Sequence, residues 1–374
     1  MRRTALLVGG GGGTGVYIAQ GLDAMGFDVT ILHRGLHEPD EIAAFPHIHA
    51  DPHFAEPVAE ALGRRTFDLV VATYGRITAL APLFAGRCSQ FIAAGGIPVY
   101  AGFFDAASVR PTGMKIGARE DGPLADAEPD KTNPAAAFAA KIRAAEDAVM
   151  ARHAAGHYAA SLFRYPGVYG PRSITWSEWS VIRRVRDGRR HILAPNEGLG
   201  LFTRCAAVNC ARTLLLAVDN PAAAGRAFNC ADDDQFSMRQ WIELTLDLLG
   251  SDAEVVGLPK PLNWAAAHLL PTGPGATDHG FVDARASREV LGYTDVMSAR
   301  EALAEAIAWR LAHPPGPEET RTCTDPFDYA LEDEVLARLE RFMADCAAIA
   351  RQAPTMHHYA HPQKPGLTAD HRGR

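Results

Sequence analysis

The sequence has no apolar stretch that approaches the roughly 20 residues of a membrane-spanning helix. It also has no long basic run, and its formal net charge of −7 does not favour a polyanionic partner. Arg2 and Arg3 lead into a glycine-rich segment rather than into the apolar core of a signal peptide. We therefore expect a cytoplasmic protein that binds neither membranes nor nucleic acids.

Cysteines and obvious metal ligands are also sparse. The 6 cysteines are scattered without the spacing of a metal site, and reduced thiols are typical of the cytoplasm. His47, His49 and His53 lie close together, and the alternation of a strand would put the first two on one face. Apart from Asp51, no acidic residue or cysteine accompanies them, so no metal site is expected.

Glycine, in contrast, is concentrated near the start of the chain. The apolar residues 4–8 predict a strand, and the apolar spacing after the glycines predicts a helix. Three of the glycines follow the spacing G-x-x-G-x-x-G, which permits a sharp turn, a close approach to a pyrophosphate and tight helix–strand packing. The N–H groups at the start of the following helix favour an anion. The predicted cofactor-binding loop comprises Gly9, Gly12, Gly13, Thr14 and Gly15.

Further along, apolar segments alternate with helical patterns, which is typical of a parallel sheet built from βαβ units. The 374 residues suffice for a large core. The sequence therefore predicts an α/β fold with a Rossmann-type doubly wound parallel sheet. Residues 103–135, rich in Gly, Pro and Asp, predict a long loop at a site. The predicted strands cover residues 4–8, 27–32, 48–51, 67–72, 90–94 and 161–165.

Three regions are expected. A dinucleotide-binding domain covers residues 1–172 and receives later strands from the C-terminal half of the chain. A smaller mixed substrate-binding region covers residues 173–312. Residues 313–374 form an extension with one amphipathic helix, near residues 331–352, and a disordered tail that contains His357, His358 and His361.

Several segments together match the motifs of a known family. The glycine loop fits its T-G-x-x-G-x-x-G, Glu120-Asp-Gly-Pro-Leu124 fits its E-D-x-P-L, and Arg164-Tyr-Pro-Gly-Val-Tyr-Gly-Pro-Arg172 fits its R-x-x-x-V-Y-G-P. The chain thus resembles the extended short-chain dehydrogenase/reductases, also called the NAD-dependent epimerase/dehydratase family. The resemblance spans roughly residues 4–312 and includes residues 225–230, 281–283, 291–293 and Trp309.

The resemblance fails at the catalytic positions. The family uses a Ser or Thr and a Tyr-x-x-x-Lys motif, in which the Tyr transfers a proton and the Lys holds the nicotinamide ribose and lowers the Tyr pKa. Here Gly96 occupies the Ser/Thr position, and the helix has Phe138-Ala-Ala-Lys141. The resemblance implies that Lys141 still anchors the cofactor. A substitute acid is sought among Tyr100, Tyr74, Tyr169 and Tyr165, with Tyr100 placed at the carboxyl end of a strand.

The expected cofactor is NADP(H), with NAD(H) possible. Arg34 follows the second strand, where a carboxylate would select NAD, and a guanidinium can pair with the phosphate of NADP. Alternatively, Arg34 stacks on the adenine and accepts either cofactor. The resemblance implies that Asp51 contacts the adenine, and we expect Tyr165 to contact the cofactor.

Three functions remain open. The first is an oxidoreductase that acts on a small carbonyl, enone or alcohol. The second is an epimerase, dehydratase or lyase that uses the nucleotide without consuming it. The third is a non-catalytic sensor or scaffold. Arg172, Arg183 and Arg184 are available for an anionic substrate. The family resemblance also implies a homodimer through the Ala-rich helix of residues 135–154.

Overall fold

The computed structural model describes residues 2–36, 38–130, 132–173, 176–270 and 275–350. The chain divides into two compact units, residues 1–326 and 327–374. The predicted boundary after residue 172 therefore falls inside the first unit, and the one after residue 312 precedes the observed division. The predicted disordered tail, with His357, His358 and His361, lies outside the described residues.

The central sheet has seven parallel strands in the order β10-β6-β5-β4-β1-β2-β3. Two further parallel pairs, β11-β8 and β7-β9, lie outside it. The strands are β1 (Arg3–Val8), β2 (Phe27–His33), β3 (His47–His49), β4 (Phe67–Ala72), β5 (Cys88–Gly96), β6 (Ala159–Tyr165), β7 (Gly167–Tyr169), β8 (His191–Ala194), β9 (Arg204–Ala206), β10 (Arg226–Asn229) and β11 (Glu254–Gly257).

Helices alternate with these strands, as the sequence predicts. Within the described ranges, no helix combines the length and apolarity needed to cross a membrane. The helices are α1 (Gly13–Ala24), α2 (Ala55–Leu62), α3 (Ile77–Leu83), α4 (Pro134–Ala154), α5 (Ser177–Arg186), α6 (Ala207–Leu215), α7 (Met238–Leu248), α8 (Arg285–Leu291), α9 (Ala299–Ala312), α10 (Pro317–Thr320) and, in the second unit, α11 (Tyr329–Ala348).

The central sheet is buried on both faces. In β1, Ala5 and Leu7 pack in one apolar cluster, whereas Leu6 and Val8 pack in the cluster on the opposite face. Two-sided burial explains why the strands are continuous apolar runs rather than alternating ones. The α/β doubly wound fold predicted from the sequence is confirmed.

The strand order indicates where a ligand site is expected. The chain leaves β1 on one side towards β2 and returns on the other side as β4, so the carboxyl ends of β1 and β4 flank a crevice. Ligands bind at such a switch point in open α/β sheets. The predicted loop at 103–135 is largely irregular, and Tyr100 bridges to Leu124 across it.

Helix α4 packs against β5 and β6 of its own chain. Its buried residues are Ala139, Glu146 and Val149. Part of the helix surface that the sequence assigns to a dimer is therefore used within the chain, and the homodimer stays a prediction.

Candidate functional site

One cavity of about 970 Å³ opens at the switch point of the sheet. Its wall contains residues 9–15 of the glycine loop and residues 97–98, 103–104 and 165–169. Residues from α5, β9 and α9 and residues 268–270 also line it. The cavity therefore joins the predicted cofactor site to the predicted substrate-binding region.

The glycine loop forms a tight turn that excludes side chains. Gly9 has φ +118°, and a Cβ there would lie 2.6 Å from Thr73 Oγ1. A Cβ on Gly15 would lie 2.5 Å from the Gly10 Cα, because α1 packs directly on the loop. Gly12 differs, since a Cβ there would meet no protein atom within 4 Å. Gly12 thus borders open space in the cavity, as a close approach to a ligand requires.

Helix α1 points its N-terminus at this space. Its first turn has no acidic residue, and its N-cap, Gly12, offers no side chain to the free backbone N–H groups. These N–H groups and the helix dipole form an anion site. The loop therefore fits a dinucleotide pyrophosphate, with Gly13 and Thr14 also in the cavity wall.

Arg34 lies where the sequence predicts, immediately after β2 and in the cavity wall. Its guanidinium carbon is 5.7 Å from the centre of the Tyr74 ring. Asp51, in contrast, is not part of the cavity wall, and its carboxylate accepts a 2.7 Å hydrogen bond from His53 Nδ1. The lining around the end of β2 includes no carboxylate.

The predicted role of Lys141 is not supported by its position. Lys141 is exposed on α4 and does not line the cavity. Phe138 precedes it by three residues, whereas the family motif requires four, and the fourth residue after Phe138 is Ile142. Ile142 packs against the apolar cluster beside β5. Phe138 is 51% exposed and contacts Phe104 of the cavity wall.

Tyr100 is also outside the cavity wall. It is 1% exposed, and its hydroxyl donates to Asn229 Oδ1 at 2.7 Å and accepts from Arg164 Nη1 at 2.9 Å. Burial raises the pKa of Tyr100 to about 12. Arg164 in turn forms a buried two-point ion pair with Glu146. Through this network Arg164, the arginine of the R-x-x-x-V-Y-G-P motif, connects β6 to α4. Because the Tyr100 hydroxyl is buried in the same network, Tyr100 is not favoured as the proton donor.

Replacing Tyr100 by phenylalanine is expected to reduce stability without affecting dinucleotide binding. The loss of its hydroxyl leaves Asn229 and Arg164 each with one partner fewer, which costs about 1–3 kcal/mol. Chemical denaturation and dinucleotide titration of the same preparation measure the two effects. Unchanged stability combined with lost binding or turnover would restore a functional role for Tyr100.

The other candidate tyrosines differ in availability. The Tyr169 hydroxyl donates to Asp232 Oδ2 at 2.6 Å, and burial raises its pKa. Tyr165 is part of the cavity wall, and burial raises its pKa well above the ordinary value. Tyr74 lies beside Arg34. The Tyr165 ring packs against the apolar cluster that contains Val16 and Phe163, so its contact with a cofactor stays a prediction.

Two arginines that the sequence did not single out, Arg204 and Arg310, line the cavity. Arg204 forms no ion pair among the described residues; it donates to Phe202 O at 3.3 Å and contacts Met238 Sδ at 3.7 Å. Burial lowers its pKa to about 10. Arg310 is 8% exposed; its Nη2 donates to Ser173 O, and its buried Nη1 has no hydrogen-bond partner in the described ranges.

These two arginines make this part of the cavity wall suited to an anion. The Glu319 carboxylate lies 3.8 Å from Arg310 Nη1, and Glu178 offsets part of the burial cost of both guanidinium groups. An anionic ligand would add a direct partner for them. The arginines named from the sequence are paired instead: Arg172 with Glu41, Arg183 with Asp187 and Arg184 with Asp325.

Two other titratable groups, Glu178 and His268, line the same cavity. Glu178 accepts a 3.2 Å hydrogen bond from Trp241 Nε1. His268 Nε2 lies 3.3 Å from Asp325 Oδ2, and burial lowers the pKa of His268 to about 4. His268 is therefore neutral at physiological pH. No spacing rule in the sequence connects these residues, because they come from separate elements.

The parallel sheet with the glycine loop at its switch point defines a Rossmann-type α/β fold. No protein-family model matches the chain, and no curated protein matches its sequence. Solved structures do match in fold, at low sequence identity. The chain is similar to dTDP-glucose 4,6-dehydratase from Bacillus anthracis in complex with NAD (12% identity, TM-score 0.65, covering 83% of this chain and 97% of that one).

Two epimerases give the same result. UDP-glucose 4-epimerase from Thermotoga maritima, with UDP-glucose, has 15% identity and a TM-score of 0.64 over 83% of this chain and 99% of that one. UDP-N-acetylglucosamine 4-epimerase from Methanobrevibacter ruminantium, in complex with UDP-N-acetylmuramic acid, has 17% identity and a TM-score of 0.63 over the same shares, 83% and 99%. The fold implied by the sequence motifs is thereby confirmed.

Proposed function

We propose that this chain is a dinucleotide-dependent enzyme of the NAD-dependent epimerase/dehydratase family that prefers NADP(H) and acts on a small anionic substrate. The observation that carries the proposal is one cavity whose wall contains both the glycine loop and the arginines Arg204 and Arg310. The glycine loop fits a pyrophosphate, and the two arginines offer positive charge that Glu178 offsets only in part.

The backbone of the glycine loop, rather than catalytic side chains, would hold the pyrophosphate of the cofactor. The N-terminus of α1 takes the pyrophosphate, and Gly12 leaves room for it. Arg34 supports the preference for NADP(H), because its guanidinium borders the cavity and can pair with a phosphate. NAD(H) stays possible, since NAD is named in the complex of one similar structure.

Part of the cavity wall is apolar, because it is formed by Ile97, Pro98, Phe103 and Phe104. Bound NADPH supplies a hydride, which needs an electrophilic carbon held close to it. Arg204 and Arg310 orient the substrate through its anionic group. With no tyrosine and lysine pair at the centre, the substrate that fits best is a conjugated enone, whose carbon can take its proton from solvent.

Two other functions have observations in their favour. The names of the similar structures favour an epimerase or dehydratase that regenerates its cofactor in each cycle. Gly96, Phe138 and Ile142 in place of the catalytic groups favour a protein that binds the nucleotide without turnover. Net oxidation of NADPH separates the first proposal from both, and conversion of substrate without net oxidation identifies the epimerase or dehydratase.

Replacing Arg34 by alanine is expected to weaken NADPH binding about ten- to a hundredfold, which corresponds to one lost charge-assisted contact of about 1.5–3 kcal/mol. NADH binding should change little. Equilibrium titration of NADPH, NADP⁺, NADH and NAD⁺ measures this. Arg64→Ala, an exposed arginine outside the cavity wall, is the matched control.

Equal loss of NADPH and NADH affinity would contradict the phosphate contact and favour stacking of Arg34 on adenine. No binding of any of the four nucleotides to the unmodified chain would overturn the proposed function.

A further inference from the structure

Four potential metal ligands converge beside the glycine-loop end of the cavity. His33 ends β2, Glu38 follows in the connection to β3, and His47 and His49 lie on β3. One ligand atom from each residue lies within 4.8 Å of all the others. We refer to these four residues as the histidine cluster.

The distances in the cluster suit a single ion. His33 Nε2 is 2.6 Å from His47 Nδ1 and 3.5 Å from Glu38 Oε1, and His49 Nε2 is 2.7 Å from the same carboxylate oxygen. Ligands about 2.0–2.1 Å from a tetrahedral zinc ion are roughly 3.3 Å apart. The observed separations, from 2.6 Å to at most 4.8 Å, bracket that value.

Contacts outside the four ligand atoms support the same geometry. The other ring nitrogen of His47, Nε2, lies 3.0 Å from the carbonyl oxygen of Ile42. A metal-binding histidine typically donates its second N–H to such a group, which fixes the ring and its tautomer. Gly35 has φ +74°, and a Cβ there would lie 3.3 Å from the His49 ring. The turn that brings Glu38 back to the cluster therefore leaves room for His49.

The sheet, rather than the sequence spacing, assembles this group. The sequence associates His47 and His49 with His53 and Asp51, but His53 pairs with Asp51 instead. In the parallel register of β2 and β3, His33 lies opposite His49. His33 and Glu38 thereby complete the set of ligands that sequence reasoning found missing.

We propose that the histidine cluster is a binding site for a divalent transition metal of the zinc type. Three imidazoles and one carboxylate suit zinc and its neighbours, whereas Mg²⁺ and Ca²⁺ prefer oxygen ligands. In the metal-free arrangement the Gly35 amide donates to His33 Nδ1 at 3.1 Å, so the His33 proton lies on Nε2. For His33 Nε2 to bind a metal, its proton must move to Nδ1. The Gly35 amide then loses its hydrogen bond to Nδ1.

The site adjoins the cavity without being part of the reaction centre. His33 lines the cavity and is followed directly by Arg34. The connection between β2 and β3 carries Arg34 and Glu38. A bound ion would link this connection to the histidines of β3. The proposal stands whether or not the chain is an enzyme, because it needs only the geometry of these four residues.

The test is a titration of the chelator-treated full chain with Zn²⁺ against a chromophoric competitor. We expect one ion per chain at the cluster. His49→Gln and Glu38→Gln should each weaken binding at least about tenfold, since even residues that only support metal ligands contribute about ten- to a hundredfold. The His49 and Glu38 side chains are 57% and 35% exposed, so both variants should fold.

His53→Gln is the matched control, because this histidine is bound to Asp51 outside the cluster. Zn²⁺ should also raise the melting temperature of the unmodified chain and of His53→Gln, but raise those of His49→Gln and Glu38→Gln much less. Absence of zinc binding at micromolar concentration overturns the proposal. Binding of equal strength in all variants also overturns it, since that places the ion elsewhere on the chain.

Discussion

Replacing Gly12 by aspartate is expected to weaken dinucleotide binding at least about a hundredfold while leaving the fold intact. A Cβ at Gly12 meets no protein atom within 4 Å, and its φ of −87° suits any residue. Aspartate is also a favourable N-cap for α1, so stability should change by only a few tenths of a kcal/mol. Its charge, however, would oppose a pyrophosphate at close range, and such like-charge contacts cost several kcal/mol.

Titration with NADPH and NADH, together with thermal unfolding, measures the two effects of Gly12→Asp separately. Gly12→Asn is the matched control, because it has nearly the same size and capping ability but no charge. We expect it to lose less affinity than the aspartate variant. Normal binding by Gly12→Asp would mean that the pyrophosphate does not lie at the start of α1, and the cofactor site would have to be placed elsewhere.

Replacing Glu146 by alanine is expected to destabilise the chain by about 3–5 kcal/mol, because it leaves the Arg164 charge buried without its partner. Glu146 and Arg164 are 6% and 4% exposed and are joined at 2.7 Å and 2.9 Å. Arg164 also donates to Tyr100, so the loss should loosen the contact between β6, α4 and the end of β5. Denaturant unfolding of the variant and of the unmodified chain gives the change in the free energy of unfolding.

The adjacent residue provides the control for Glu146→Ala. Asp147 pairs with Arg143 across 3.8 Å on the exposed side of the same helix. Asp147→Ala should change the free energy of unfolding by no more than about 0.5 kcal/mol, as is typical of exposed helix pairs. Similar effects of the two substitutions would mean that the Arg164 pair contributes no more than a surface contact.

The sequence predicts the fold and the glycine loop well because both depend on local patterns. A buried parallel strand is a continuous apolar run, and the glycines needed for the turn lie within seven residues, Gly9 to Gly15. The six predicted strands are therefore recovered within a few residues as β1 to β6, whereas no bounds are predicted for β7 to β11. The predicted long loop at 103–135 is recovered for the same reason, because Gly and Pro disfavour regular elements.

The reaction centre is harder to predict because one residue of offset on a helix rotates a side chain by about 100°. Lys141, taken as three residues after Phe138, is on the exposed side of α4, whereas Ile142 faces the apolar cluster. The pair of arginines in the cavity wall is harder still to predict. Arg204 and Arg310 come from β9 and α9, and only the tertiary fold brings them to one cavity.

The cavity wall begins at Gly9 and ends at Thr324. During synthesis, the glycine loop and β1 leave the ribosome early, whereas Arg310 and Thr324 follow only when almost the whole first unit has been made. Because chains begin to fold from the N-terminal side as they emerge, the glycine loop can form before Arg310 exists. We therefore expect a nascent chain to be able to hold a nucleotide before it can hold a substrate.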